Sequence, residues 1–418
     1  MSGMSPLTLL HTSDWHLGHE LNGHPREEEH RHFLDWLHAV IGEHGVDALV
    51  VTGDIYDVAN PPVSAMARLY GFLHRLCAAY PALDIVILGG NHDSAMRIDL
   101  PGALLGTGRV HFAGAMPRTN GPRTDGAPDP EKTLIPLTNS DGAIAAWLAA
   151  VPFCRPVDLG RESLETLYAA VQDAGLARAG DLPLVVTGHL HVAGGAVSEM
   201  SERRIVVGGE EAQAPTLFDA RAAYVALGHL HRAQAITGPT TIRYAGSPFP
   251  LSMAERDYRH SVALVRLAAG EPETPPSCTV ELLPIPRPVV FHSLGPLPLD
   301  AAVAAIGALD LDADLPPAQW PFIEVSVAVT GPEPLLHQKV LAALADRPLR
   351  LVRLRRHFVA QGDQLETGAE PVDLDDLDPA AVFARLYADQ HEGEAPPEDL
   401  AQAFARLMID TQTTQKPR

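Results

Sequence analysis

Residues 7–18 read LTLLHTSDWHLG: an apolar run, Leu7–His11, stops at a polar turn that holds Asp14 and His16 two residues apart. The arrangement recurs down the chain. Ala48–Thr52 (ALVVT) ends in Gly53-Asp54, and Ile85–Leu88 leads into Gly90-Asn91-His92-Asp93. Leu184–Thr187 ends in Gly188-His189, and Tyr224–Leu227 in Gly228-His229-Leu230-His231. Short continuous apolar runs bounded by glycine and polar residues read as buried strands. Between them, Arg31–His44 (RHFLDWLHAVIGEH) and Ser64–Tyr80 (SAMARLYGFLHRLCAAY) place apolar residues at three- and four-residue spacing, as amphipathic helices do. Further strands are expected at Ile144–Val151, Thr241–Tyr244 and Ser261–Leu267. The pattern is that of a layered α/β fold whose strand-end loops carry function.

Those five strand ends offer Asp14, Asp54, Asn91, His16, His189, His229 and His231 as oxygen and nitrogen donors, with His92 and Asp93 beside them. The set is larger than one ion needs and suits two hard-to-borderline divalent ions. Two such ions close together serve in-line displacement at phosphorus by a metal-activated water. In extended backbone, residues i and i+2 share a face, so Asp14 with His16, and His229 with His231, are each expected to reach one ion. An aspartate after Gly53 can bridge two ions, and the glycine permits close backbone approach. Asn91 is a neutral donor for a second site that cannot take more negative charge. Asp93 either orients His92 or caps its loop. His191 repeats the spacing of the later HxH and is expected behind the ligands or facing substrate. His24, His30, His32, His38 and His44 fall on several faces of a helix and the loop before it, and are read as a solvated surface.

The chain has 418 residues, enough for two or three domains. No apolar run approaches the roughly 18–20 residues that span a bilayer. The start, MSGMSPLTLLHTSDWH, lacks the basic opening of a secretory signal. Cys77, Cys154 and Cys278 show neither CxxC spacing nor a disulfide framework, so a reducing cytoplasm is the expected setting. Each is read as a buried small apolar residue. Lysine plus arginine number 31 against 52 aspartate plus glutamate, a formal charge of −21. That excludes a broadly basic nucleic-acid grip. It leaves nucleic acid open as a substrate, because bound cations reverse the local field. Phosphate contacts are then expected from local arginines, Arg203-Arg204 and the run Arg350, Arg353, Arg355 and Arg356, or from a partner. Leu351, Val352 and Leu354 interleave with that run, so an edge strand with one charged face explains it nearly as well.

Met116–Gly142, rich in proline, glycine and charge, reads as a surface excursion, and Ala269–Ser277 (AGEPETPPS) as the end of the catalytic domain. Phe322–Val329 and Leu349–Leu354 around a helix at Pro334–Ala345 suggest a small α+β domain. Gln361–Pro379 reads as an acidic linker. Amphipathic helices at Pro379–Asp389 and Pro397–Thr411 are too small for their own core and read as a docking element. The expected division is 1–277, 278–360 and 361–418.

The order DxH, GD, GNHD, GH, GHxH resembles the calcineurin-like metallophosphoesterase pattern. With its flanks, HTSDWHLG, GDIYDVANPP, GNHDS, LGHLHRAQ and YAGSPFPLS, the chain is similar to the SbcD exonuclease family over about residues 7–268. The resemblance implies a β-sandwich flanked by helices, a small α+β capping domain and a C-terminal helical segment that docks a partner. It implies one ion held by Asp14, His16, Asp54 and His231, and another by Asp54, Asn91, His189 and His229, with Asp54 bridging. The family prefers two Mn²⁺, with Mg²⁺ the lesser alternative. His92 resembles its catalytic histidine, which steadies the scissile phosphate or protonates the leaving 3′-oxygen. The implied activity is 3′→5′ exonuclease action on duplex DNA ends and endonuclease action on single strands and hairpins. The implied assembly is a homodimer within a heterotetramer with an SbcC-type ATPase, away from any membrane. A small-molecule phosphodiesterase or phosphatase of the same fold would need neither the extra domain nor the tail. A scaffold without catalysis would not keep the donor set intact.

Overall fold

In the computed structural model, β1 (Leu7–Thr12) is buried on both faces and alternates between two cores. Leu7 and Leu9 point one way and Leu10 the other. The structure describes residues 5–102, 108–119, 126–159, 162–198, 212–270 and 274–359, with a few between 383 and 404. After β1 come β2 (Glu20–Leu21), β3 (His24–Pro25), α1 (Glu27–Glu43), β4 (Ala48–Thr52), α2 (Val63–Ala79), β5 (Asp84–Leu88), α3 (Ala95–Asp99) and β6 (Val110–Ala113). Next are β7 (Leu134–Thr138), β8 (Ile144–Ala149), α4 (Pro156–Leu159), α5 (Leu164–Ala179), β9 (Leu184–His189), β10 (Tyr224–Gly228), β11 (Gln234–Ile236) and β12 (Ile242–Tyr244). The rest are β13 (Ser261–Ala268), β14 (Ser277–Pro284), β15 (Phe291–Pro298), α6 (Leu299–Ala308), β16 (Phe322–Val329), α7 (Leu336–Leu344) and β17 (Arg350–Phe358).

Among the described residues, two six-stranded sheets form, in the orders β14-β13-β1-β4-β5-β6 and β11-β12-β10-β9-β8-β7. The period-two alternation of each strand sorts its residues between layers. Leu7, Leu9, Val50 and Val86 of the first sheet meet Leu148, Val185, Tyr224 and Ala226 of the second in one apolar layer. Leu10, Leu49, Val51, Ile85 and Ile87 face the other way and are covered by α1 and α2. α1 turns Phe33, Leu34, Leu37, Val40 and Ile41 inward, and its opening turn holds Glu27, Glu28 and Glu29, which suits the positive end of the helix dipole. Leu184, Val186, Val225 and Leu227 meet Leu167, Tyr168 and Val171 of α5 on the far side. The result is a helix–sheet–sheet–helix sandwich. β1, β4 and β5 run parallel, as do β9 and β10, so their C-terminal ends carry the loops quoted above.

Three expectations are corrected. Met116–Gly142 is not wholly a surface excursion: it contains β7, which pairs with β8. Ala269–Ser277 does not end the catalytic sheet, because β14 pairs with β13 from Ser261↔Pro284 to Ala268↔Ser277. The sheet therefore continues past residue 277. Cys77 is exposed rather than buried, and Cys154 and Cys278 are half-buried.

Contacts divide the described residues into two units. The first runs to Ser293 and includes Leu309–Glu324 and Ala342–Arg353; the second holds Leu294–Ala308, Val325–Leu341 and residues from Leu354 onward. In the second unit Ala302, Ile306, Val325, Val327, Leu336 and Val340 are buried. β15, β16 and β17 pair in that order. Gln361–Pro379 and most of Pro379–Asp389 and Pro397–Thr411 lie outside the described residues, as do Arg203 and Arg204.

Candidate metal centre

The loop after β1 is laced to the loop after β4. Asp14 N donates to Gly53 O at 3.1 Å, His16 N to Asp54 O at 2.9 Å and Leu17 N to Ile55 O at 2.9 Å. Trp15, between the two donors, is fully buried with its ring edge-to-face against Phe33 and Phe72. Its indole N–H donates to Thr12 Oγ1 at 3.0 Å. Pinning Trp15 into the helical layer turns its neighbours the opposite way. The backbone is not extended here: Asp14, His16 and Asp54 adopt φ values of 52°, 45° and 49°, and His229 one of 102°. With Asn22 these are the non-glycine residues of positive φ among the described residues. Side chains rarely tolerate that region, and it concentrates where function holds a residue against its preference. The shared face expected for Asp14 and His16 thus arises from two left-handed residues around an anchored tryptophan. His229 and His231 do not share an ion-sized group. His231 joins Asp14 and His16, whereas His229 faces Asn91.

Face-to-face packing brings the loops of both sheets together. Donor atoms of Asp14, His16 and His231 lie within 4.8 Å of one another, and so do those of Asp14, Asp54 and His189. Asp54 Oδ2 sits between, 3.6 Å from His16 Nε2 and 3.3 Å from His189 Nε2. Asn91 Oδ1 is 2.8 Å from His189 Nε2 and 3.1 Å from His229 Nδ1. The backbone N–H of His229 donates to Asp14 Oδ1 at 3.0 Å, stitching one sheet's loop to the other's. Gly90 lies so close to Asp54 that any side chain would strike its carboxylate. Gly228 is equally tight against the Thr52 carbonyl and Ser13.

His189 Nδ1 is 2.8 Å from the carbonyl of Thr52, which only accepts, so that nitrogen carries the proton. Nε2 then faces the oxygens of Asp54 and Asn91. Such convergent acceptors call for a proton or a cation. His16 makes the same point: it is buried, and neither ring nitrogen makes a hydrogen bond, Nδ1 lying 3.3 Å from Asp57 Oδ1 without the alignment for one. A buried polar group without partners is costly unless something completes it. Electrostatics agree. Burial lifts Asp14 to about 6 despite nearby histidines. Burial also pushes Asp54 up, but His189, His92 and His16 outweigh it and hold the carboxylate well below its usual range. His189 moves up in response, against burial, because Asp54 and Asp14 face it. Burial, with His189 close by, presses His229 far down, and burial takes His16 to about 4. These displacements have one origin: carboxylates and imidazoles buried against one another away from water, an environment that divalent cations complete. The donor set therefore fits a pair of ions.

His92 stands beside this group, its ring centroid 4.8 Å from that of His16. Its backbone N–H donates to Asp54 Oδ1 at 2.9 Å and its Nδ1–H to the carbonyl of Asp57 at 2.8 Å. Asp93 caps the loop: its carboxylate accepts from the backbone N–H groups of Ile55, Tyr56 and Gly90 at 2.9–3.0 Å. Its hydrogen bonds are to backbone rather than to His92. Burial raises it to about 6. His191 is half-buried and falls in none of the metal-type groups among the described residues. Arg350 is half-buried, its guanidinium stacked 3.8 Å over Phe322 and its Nε donating to Trp320 O at 2.8 Å. Burial lowers it to about 10. It braces β17 rather than facing outward. Arg353 is half-buried on the same strand. Among the histidines read as a solvated surface, His30 is fully buried, its Nε2–H donating to Trp15 O at 2.8 Å.

Two residues that sequence reasoning passed over complete the surroundings. Asp57 accepts from His19 Nδ1 at 2.9 Å and lies beside His16 and His92. The quoted GDIYD stretch contains it, three residues after Asp54. Glu255, fully buried, faces His231 Nδ1 at 2.9 Å. It stands outside every motif, so nothing local marked it.

Comparison with known proteins agrees with this geometry. Residues 7–233 match the calcineurin-like phosphoesterase family, and residues 287–391 match the family described as type 5 capsule protein repressor C-terminal domain. The SbcD subunit of the nuclease SbcCD from Rhodobacter capsulatus is 39% identical over 91% of this chain and 94% of that protein. The protein of the same name from Escherichia coli K12 is 31% identical over 96% of this chain and 98% of its own length. That from Bacillus subtilis is 33% identical over 64% of this chain and 68% of its own. Strand-end donors, helix–sheet–sheet–helix layering and near full-length similarity converge: the chain belongs to the SbcD family of calcineurin-like phosphoesterases.

Proposed function

We propose that this chain is the metal-dependent nuclease component of an SbcC–SbcD-type complex, cleaving phosphodiester bonds in DNA. The observation that carries the reading is the convergence of Asp14, His16, Asp54, His189, His229 and His231, all buried, with the half-buried Asn91, from loops of two sheets into one cluster with His92 at its side. Asp14, His16, Asp54 and His231 would hold one ion, and Asp54, Asn91, His189 and His229 the other, with Asp54 shared. Bound there, two divalent cations, manganese in preference to magnesium, supply Lewis acidity toward a phosphodiester and a nucleophile at neutral pH. The chain's own residues do the rest. His92, its Nδ1–H committed to the Asp57 carbonyl, would in its protonated form donate Nε2–H to a phosphate oxygen or to the leaving 3′-oxygen. Asp93 fixes the loop that aims it, through three backbone N–H groups.

The expected activities are 3′→5′ exonuclease action on duplex ends and endonuclease action on single strands and hairpins. The expected assembly is a homodimer bound to an SbcC-type ATPase, with the residues before β15 as the nuclease part. Residues up to about 360 would cap it and the remainder would dock the ATPase. The test is cleavage of a labelled DNA hairpin with free ends in Mn²⁺, with chelator and His92→Ala controls. His92→Ala should keep both ions and lose cleavage by about 10²–10⁴-fold, the range for a positioned acid or base. Loss of metal together with activity would refute the role given to His92. Cleavage of a nitrophenyl phosphodiester but not of DNA, even with the ATPase and ATP, would favour a small-molecule phosphodiesterase.

A further inference from the structure

Glu255 lies in the turn that follows Leu251 and belongs to no ligand motif, yet it is fully buried and both its oxygens are engaged. Oε1 is 2.9 Å from His231 Nδ1 and 3.4 Å from Ser252 Oγ, and Oε2 accepts from the Leu251 backbone N–H at 2.8 Å. A carboxylate only accepts, so His231 Nδ1 must carry the proton. The lone pair is thereby left on Nε2, and the ring is held where His231 groups with Asp14 and His16.

We propose that Glu255 is a positioning residue for the metal centre, selecting the tautomer of His231 that can ligate an ion. The inference rests on the metal reading above and extends it to a residue outside the ligand set. A purely structural carboxylate here would be an expensive choice, since a buried charge needs strong compensation. Behind a histidine ligand it both orients the ring and raises its basicity, an effect typically worth 10–100-fold in metal affinity.

The geometry makes Glu255→Gln unusually informative. The Leu251 N–H can only donate, so the amide oxygen of Gln must turn toward it. The amide NH₂ then faces His231 Nδ1, which is forced to accept, and the ring proton moves to Nε2. Shape is kept and the tautomer is reversed.

The experiment titrates Mn²⁺ into metal-free protein by calorimetry, for the native chain and for Glu255→Gln, with ¹⁵N NMR of the histidine rings and melting of both metal-free forms. Expected are Nδ1–H for His231 in the native protein and Nε2–H in the variant. Mn²⁺ affinity should fall at least ~10-fold in one binding step while the metal-free melting temperature stays close to native. Native affinity in the variant, or Nε2–H on His231 in the native protein, overturns the inference and leaves the metal reading intact. Failure of the native protein to bind Mn²⁺ overturns both. Should the variant not fold, the tautomer of the native chain decides alone.

Discussion

His30 is buried without any part in the candidate centre, and its consequence is a dependence of stability on acid. Burial takes its pKa down to about 3, and it does the same for His11, which bridges Tyr224 and Thr52 beneath the first sheet. In the unfolded chain each takes a proton near 6.5, but in the folded one only near 3. The unfolded state therefore binds more protons throughout that window. Stability is full above pH 6.5 and falls by up to about 1.4 kcal/mol per pH unit per histidine as the pH drops toward 3. His30→Gln should flatten this slope, seen as a smaller fall in urea midpoint between pH 7 and 5; an unchanged slope would contradict it. The burial was legible in principle, because His30 stands three and four residues before Phe33 and Leu34, on the same helical face. At the centre itself, residue types and order were enough to collect the donors. The left-handed backbone at Asp14 and His16 was not, because it depends on where Trp15 is anchored.

At the scale of elements, the strands that sequence patterning finds in the two six-stranded sheets are the inner ones. Ala48–Thr52 is recovered to the residue. β6, β7, β11 and β14 go unrecognised, and they are the edges of the two sheets. An edge strand is buried less evenly, so its apolar run is interrupted: β14 alternates exposed and half-buried residues, and β7 carries Pro136, which an edge tolerates and an interior strand does not. α5 was missed for a different reason. Its buried face includes Gln172 and Gly175, while alanines occupy its other faces, so polarity does not separate the two sides. The inner strands meet in the inter-sheet layer that holds the loops in register. Leu148→Ala in that layer should cost about 2–5 kcal/mol, as large-to-small changes in a packed core do. Denaturant unfolding would measure it; a cost below about 1 kcal/mol would mean that the layer is loosely packed.

For the whole molecule, a formal charge of −21 makes unaided capture of a polyanion unfavourable at long range. A nuclease of this composition is expected to meet DNA through a partner and through cations at its centre. Removing the residues after Gln361 should leave the fold and Mn²⁺ stoichiometry of the sandwich unchanged and abolish co-purification with an SbcC-type ATPase. Undiminished co-purification would place the docking surface elsewhere. None of the described helices is long and apolar enough to cross a membrane. The strain at the candidate centre bears on how this protein can be engineered. Asp14, His16, Asp54 and His229 occupy a backbone region that glycine enters freely and asparagine more readily than most residues. A library sorted for heat resistance alone would reward those replacements, since relieved strain raises stability whether or not catalysis survives. A directed-evolution campaign toward a sturdier enzyme should therefore freeze these four codons before its first round.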